Sequence, residues 1–219
     1  MTALGMVDCM VAGAAHATGD VIRAGLYNAG LAEGIQVVSG CFVMVPPPGH
    51  PVVDRPLLFA DSAVVPEPTE EQLVSIGLSS ATTYRRLLGR EPKVACLSFS
   101  TRGSAEHPAA ERMARVAAAL TAAGLQADGE LQLDSALVAS VGERKCPGSP
   151  VAGRADVLLF PDLQSGNIGY KMAQRLGGFQ AIGPIVQGLA RPIFDLSRGA
   201  TAADIVNTVA LAALCGSED

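Results

Sequence analysis

Residues 155–178 read ADVLLFPDLQSGNIGYKMAQRLGG, and how this stretch divides decides the fold. ADVLLF (155–160) is a short, almost wholly apolar run, which suits a strand buried on both faces. QSGN (164–167) is small and polar. The residues after it suit a helix until Gly177 and Gly178 end it. The segment predicts a buried strand, a tight loop at its carboxyl end, and a helix over 167–177.

Strand-like and helix-like segments alternate on either side. VDCMVAGA (7–14) reads as a strand leading through HATGD into a helical VIRAGLYNAGLA. IQVVSGCFVMV (35–45), PPPGHP (46–51) and PLLFAD (56–61) read as strand, Pro-rich turn and strand, a hairpin-like excursion. Over 70–89, Leu73, Ile76, Ser80, Tyr84, Leu87 and Leu88 fall on one helical face. KVACLSF (93–99) reads as a buried strand. Pro108 suits the first turn of a helix over 108–123, which Gly124 ends. The polar, Gly- and Pro-containing stretch 137–154 reads as a surface loop. PIVQGL (184–189) and PIFDL (192–196) read as short strands, and 202–215 as a last helix. No internal repeat or long linker interrupts this order. The alternation predicts an α/β fold, a largely parallel sheet with helices on both faces. Ligands of such sheets lie outside the carboxyl ends of the strands, which directs attention to 100–107, 164–167 and 197–204.

The composition supports a packed aliphatic core. Hydrophobic residues make up 49% of the 219, aromatics only 4%, and there is no Trp. The net charge of −5, without any Lys/Arg run longer than a pair, argues against a nucleic-acid partner or an anionic membrane surface. Five cysteines without a CxxC pair read as reduced thiols, and three scattered histidines make a zinc site improbable. No basic stretch leads into an apolar block at the start, and no apolar run is long enough to span a bilayer. A soluble, cytoplasmic protein is expected.

Three of the loops share a composition: STRGS (100–104), QSGN (164–167) and SRG (197–199). Small residues let backbone N–H groups approach an anion, and arginine adds bidentate hydrogen bonds suited to phosphate. Ser100, Thr101, Gly103, Ser165, Gly166, Asn167 and Lys171 are therefore candidate substrate-binding residues. No GxxxxGK[ST], GxGxxG or GxSxG motif occurs, so neither a nucleotide fingerprint nor a nucleophile elbow is supported.

Five segments carry a resemblance: GMVDCMVAGAAHATGDVIR (5–23), LLFADSAVVPEPTEEQL (57–73), KVACLSFSTRGSAEHP (93–108), ADVLLFPDLQSGNIGYKMAQRLGGFQAIGPIVQGL (155–189) and PIFDLSRGATAADIVN (192–207). Collinear across nearly the whole chain, they resemble the phosphate acetyltransferase (phosphotransacetylase) family, with NIGYK and DLSRG the most specific parts. The resemblance implies reversible transfer of an acetyl or other short acyl group between coenzyme A and inorganic phosphate. The CoA thiolate attacks directly, without a covalent enzyme intermediate. It also implies two α/β lobes of isocitrate-dehydrogenase-like architecture around a cleft, a homodimer, and acetyl-CoA as substrate, with no bound cofactor and no metal. Asp204 matches the residue that takes the thiol proton, Ser197 one that hydrogen-bonds at the reacting centre, and Arg198 and Arg23 substrate-binding arginines.

Relative to usual members, the chain begins where the family is already under way. The expectation is a first lobe reduced to residues 1–34 and 190–219, beside a second lobe of 35–189. Truncation, a second subunit supplying the missing part, and loss of catalysis all remain open, the last leaving an acyl-CoA-binding, regulatory or structural subunit. Each candidate also has a plain structural reading. Thr201 and Asp204 have capping-box spacing. Ser197 suits a turn, Ser165 and Asn167 suit helix caps, and Arg23 and Lys171 suit a solvated helix face.

Overall fold

The computed structural model describes residues 1–196 and 199–216. Its main body is a six-stranded sheet. In chain order its strands are β2 (Ser39–Val45), β3 (Leu57–Ala60), β4 (Lys93–Leu97), β5 (Gln126–Leu131), β6 (Val157–Leu159) and β7 (Gln180–Gln187), and in space they run β5-β4-β6-β3-β2-β7. The first four in space are mutually parallel. β2 is antiparallel to both β3 and β7, so the expected hairpin-like excursion and largely parallel sheet are both present. A second, two-stranded parallel sheet pairs β1 (Met10–Gly13) with β8 (Ile193–Leu196).

Helices cover both faces of the larger sheet. α2 (Glu70–Leu88) starts at a full capping box, in which Thr69 Oγ1 accepts from the Gln72 N–H and Gln72 Oε1 accepts from the Thr69 N–H. It ends at Gly89 in the left-handed region (φ 65°). α3 (Pro108–Ala122) carries Pro108 in its first turn, with the His107 ring accepting from the Ala109 N–H. The two helices approach closely because Gly77 lies against Leu120, where a Cβ would come within 2.7 Å. Consecutive residues of β6 face opposite ways: Val157 and Leu159 enter the core beneath α2 and α3, and Leu158 the core on the other face. This double burial is why the strand reads as an unbroken apolar run.

Two regions depart from the sequence reading. Residues 137–154 are not a surface loop. α4 (Leu133–Leu137) and α5 (Ala139–Lys145) fold here, Val151 is fully buried, and Gly142 packs on the backbone of Gly153. β5 has no counterpart in the sequence reading, because its QADGEL carries two carboxylates. Both are buried and bonded: Asp128 with Arg102 and Ser149, Glu130 with Ser100 and the Gly103 N–H.

The smaller sheet carries α1 (Thr18–Ala29) and α7 (Ala202–Gly216). Phe194 and Ala212 join the core on the α2 side of the larger sheet. Among the described residues no helix is long and apolar enough to cross a membrane.

Candidate active site

The strand-to-helix turn after β6 is tighter than its sequence suggests. α6 (Leu163–Arg175) begins four residues before the expected start, because Asp162 is the cap: its Oδ1 accepts from the Ser165 N–H at 2.8 Å. Ser165, Gly166 and Asn167 therefore sit inside the first helical turn rather than in an open loop. Ser165 Oγ donates back to Asp162, and Asn167 Nδ2 donates to the Ser62 carbonyl (3.2 Å). Gly166 lies against the Asp61 carbonyl, where a Cβ would stand at 2.0 Å, so no side chain fits. What this turn grips is the neighbouring loop after β3. Lys171 stands exposed on α6, with Nζ 5.8 Å from the Tyr170 ring centre.

That neighbouring loop is organised by one carboxylate. Asp61, 2% exposed, accepts from the backbone N–H groups of Gly40, Ala63, Val64 and Val65 at 2.8–3.2 Å. Burial raises its pKa despite these four donors. The loop after β4 is likewise internally bonded. Ser100 Oγ and the Gly103 N–H donate to Glu130, and Thr101 Oγ1 bonds with Gln132 and Ser135. Arg102 reaches Asp128 at 2.6 Å. The donors that composition offered to an anion are in this structure directed at the protein's own acidic β5.

Asp204 stands elsewhere, in the first turn of α7. Its Oδ2 accepts from both the N–H and the Oγ1 of Thr201 (2.8 Å each), while its own N–H donates to Thr201 Oγ1 (3.2 Å). The capping box anticipated from spacing is present, with Asp in the usual Glu position. These hydrogen bonds hold the carboxyl below its ordinary pKa. Asp204 also borders a crevice of about 150 Å³ with Asn207 and Thr208 of α7, Gln174 of α6, and Gln180–Gly183 of β7. Capping and an open position at a crevice thus coexist in one side chain.

Ser197 and Arg198 lie outside the described residues. Arg23 is exposed on α1 and bonds Asp20 (2.9 Å), one helical turn away, rather than Asp204. Among the described residues no group of three or more His, Cys, Asp or Glu side chains gathers as a metal site would require.

Two groups near this end of the molecule escaped the sequence reading. Asn207 and Thr208 follow Asp204 at i+3 and i+4, a spacing that places them on its face of the helix and was available in the sequence. Asp195 closes β8 and is 2% exposed. Its Oδ2 accepts from Thr18 Oγ1 at the start of α1 (2.5 Å), and its Oδ1 has no partner among the described residues. Burial raises its pKa. An aspartate inside an otherwise apolar strand was its only signal.

Known proteins resemble the chain along nearly its whole length. The family model described as phosphate acetyl/butaryl transferase matches residues 1–213. The phosphate acetyltransferase of Thermoanaerobacterium thermosaccharolyticum is 50% identical over 212 residues, 96% of this chain and 65% of that protein. That of Clostridium acetobutylicum is 51% identical over 210 residues, 94% and 63%. Among solved structures, a phosphotransacetylase from Streptococcus pyogenes superposes with a TM-score of 0.91 at 42% identity, covering 97% of this chain and 64% of that one. The chain therefore spans a little under two thirds of the length of these relatives. The family model, these identities and the superposition together show that the chain belongs to the phosphate acetyl/butaryl transferase family.

Proposed function

We propose that this chain carries out phosphate acetyl transfer, moving an acetyl group reversibly between coenzyme A and inorganic phosphate. The observation that carries the reading is Asp204, an ionised carboxylate at the rim of a crevice between α7 and the α6–β7 region, in a chain of this family. In the direction of thioester synthesis, Asp204 takes the proton from the CoA thiol. The sulfur then bonds to the carbonyl carbon of acetyl phosphate, the bond from that carbon to the bridging oxygen breaks, and phosphate leaves with its P–O bonds intact. Arg23, with Ser197 and Arg198, is assigned to the phosphate and the carbonyl oxygen, where cations and donors stabilise developing charge.

A carboxylate held below its ordinary pKa is a weak base toward a thiol, whose pKa is about 8.5. Proton removal must therefore accompany carbon–sulfur bond formation rather than precede it. The same reading takes residues 1–34 and 190–219 as one lobe and 35–189 as the other. It makes the protein a cytoplasmic homodimer that uses acetyl-CoA and phosphate as substrates. The dimer is checked by light scattering of the purified protein.

The decisive experiment follows thioester absorbance with acetyl phosphate and CoA. Asp204→Asn retains an oxygen that can accept from Thr201 but removes the base. Its rate is expected to fall on the order of a hundredfold or more, with an unfolding midpoint close to that of the parent. Equal rates in the two proteins would remove Asp204 from the chemistry. No thioester from the parent itself would remove the activity from this chain.

A further inference from the structure

A cavity larger than the crevice lies away from Asp204. It holds about 490 Å³ where the two sheets meet, a size suited to a small-molecule ligand. Both crossovers between the sheets contribute to its wall, 32–35 on the way from α1 to β2 and 188–192 on the way from β7 to β8, together with 185–187 at the end of β7. α2 supplies another side and Cys215, near the end of α7, a third. Eleven helical positions separate Cys215 from Asp204, or about 16 Å along α7. The cavity is therefore distinct from the crevice described above.

Its wall has two characters. Leu78, Leu125, Ile185, Leu189 and Phe194 make an apolar side. Among the described residues its charged side chains are Arg85, Arg86, Arg191 and Glu33. Arg85 Nε is held by Glu91 at 2.7 and 2.8 Å, whereas Arg86 is exposed and, among the described residues, donates to the Cys215 carbonyl at 3.4 Å. Part of this positive charge, from Arg85 and Arg86, offsets the carbonyl end of α2.

A second, independent feature is Ser79. It is 5% exposed, it lines the cavity, and its hydroxyl has no hydrogen-bond partner among the described residues. Its neighbours are satisfied. Ser80 Oγ donates to the Ile76 carbonyl and accepts from Gln187, and Thr83 Oγ1 donates to Gln187. A buried hydroxyl without a partner costs free energy unless something in the cavity bonds it.

We infer that this cavity is a second binding site, for a small molecule with an anionic phosphate or carboxylate head and a short apolar body. The head sits toward Arg86, and a polar atom of the ligand meets Ser79 Oγ. The body lies on the apolar side. A molecule seated there touches both crossovers between the sheets.

The test is calorimetric titration with three probes of matched length: monobutyl phosphate, butyrate and butyramide. The first two separate a phosphate head from a carboxylate head, and the third removes the charge. At least one anion is expected to bind, with butyramide at least tenfold weaker. Arg86→Gln, at an exposed position, should weaken the anion about tenfold, the loss of one charge-assisted hydrogen bond. Arg23→Gln should leave binding intact. Peptide mapping after alkylation supplies the location: the bound anion should slow modification of Cys215. Binding lost in Arg23→Gln but retained in Arg86→Gln would place the anion at Arg23, the proposed phosphate-binding residue, and overturn the inference, while leaving the proposed activity standing. Equal binding of butyramide, or no heat from any probe, would overturn it as well.

Discussion

The two sheets of this molecule are built to different standards of enclosure. The larger has six strands, helices on both faces and fully buried side chains throughout, among them Leu73, Ile76, Tyr84, Met113, Leu120 and Leu158. The smaller has two strands. Every residue of β1 is only half-buried, α1 buries Val21 and Gly25 alone, and α7 buries Thr208 and Ala212 alone. Ile205, Val206, Val209 and Leu214 of α7 are exposed apolar residues. Yet Asp204 and Arg23 both stand on the helices of the smaller sheet. Stability and proposed chemistry are thus separated in space, with the well-packed sheet serving as the platform for a thinly covered one.

That contrast can be broken most forcefully by truncating one side chain in each part. Leu158→Ala, in the centre of the larger sheet, is expected to cost about 2–5 kcal/mol. Val206→Ala, on the exposed side of α7, should stay within about 0.5 kcal/mol. Urea unfolding of both variants measures the difference, and similar costs would mean that the smaller sheet is covered in solution.

A buried carboxylate in each part sharpens the comparison. Asp61→Asn places an amide N–H₂ against a backbone donor such as Val65 N–H. It should cost about 1–3 kcal/mol for each donor left unpaired, seen as a lower urea midpoint. Among the described residues Asp195 has one hydroxyl donor in place of four backbone amides. Its folded pKa is raised, so the penalty for burying its charge is absent below the unfolded carboxylate pKa. The penalty grows as pH rises and is complete above the folded pKa. Asp195→Asn should therefore raise the melting midpoint slightly at pH 7, and the gain should vanish toward pH 3. A fall in the midpoint at pH 7 would show that the charge itself has a partner.

Local signals carried most of the fold into the sequence. Thr69 with Gln72, Pro108, and the doubly buried run of β6 announce their elements within a few residues. β5 escaped because Asp128 and Glu130 are matched by Arg102, Ser149 and Ser100, groups far enough along the chain that spacing does not reveal them. The stretch 137–154 escaped because its Gly142 and Gly153 serve close backbone packing rather than turns at the surface. At the candidate site, the Thr201–Asp204 cap was legible because it is local. The crevice was not, since Gln174 and Gln180–Gly183 meet α7 only through the pairing of distant strands. Ser165 and Asn167 were legible as cap-type residues, but Asp162 took the cap and turned them toward their own protein.

The register of the smaller sheet, Met10 beside Ile193 through Gly13 beside Leu196, has a consequence during synthesis. β1 leaves the ribosome roughly 180 residues before the strand it pairs with, and at about 5–20 residues per second it waits on the order of ten to forty seconds. Through that interval Val11 and its neighbours lack the strand that they pair with in the folded protein.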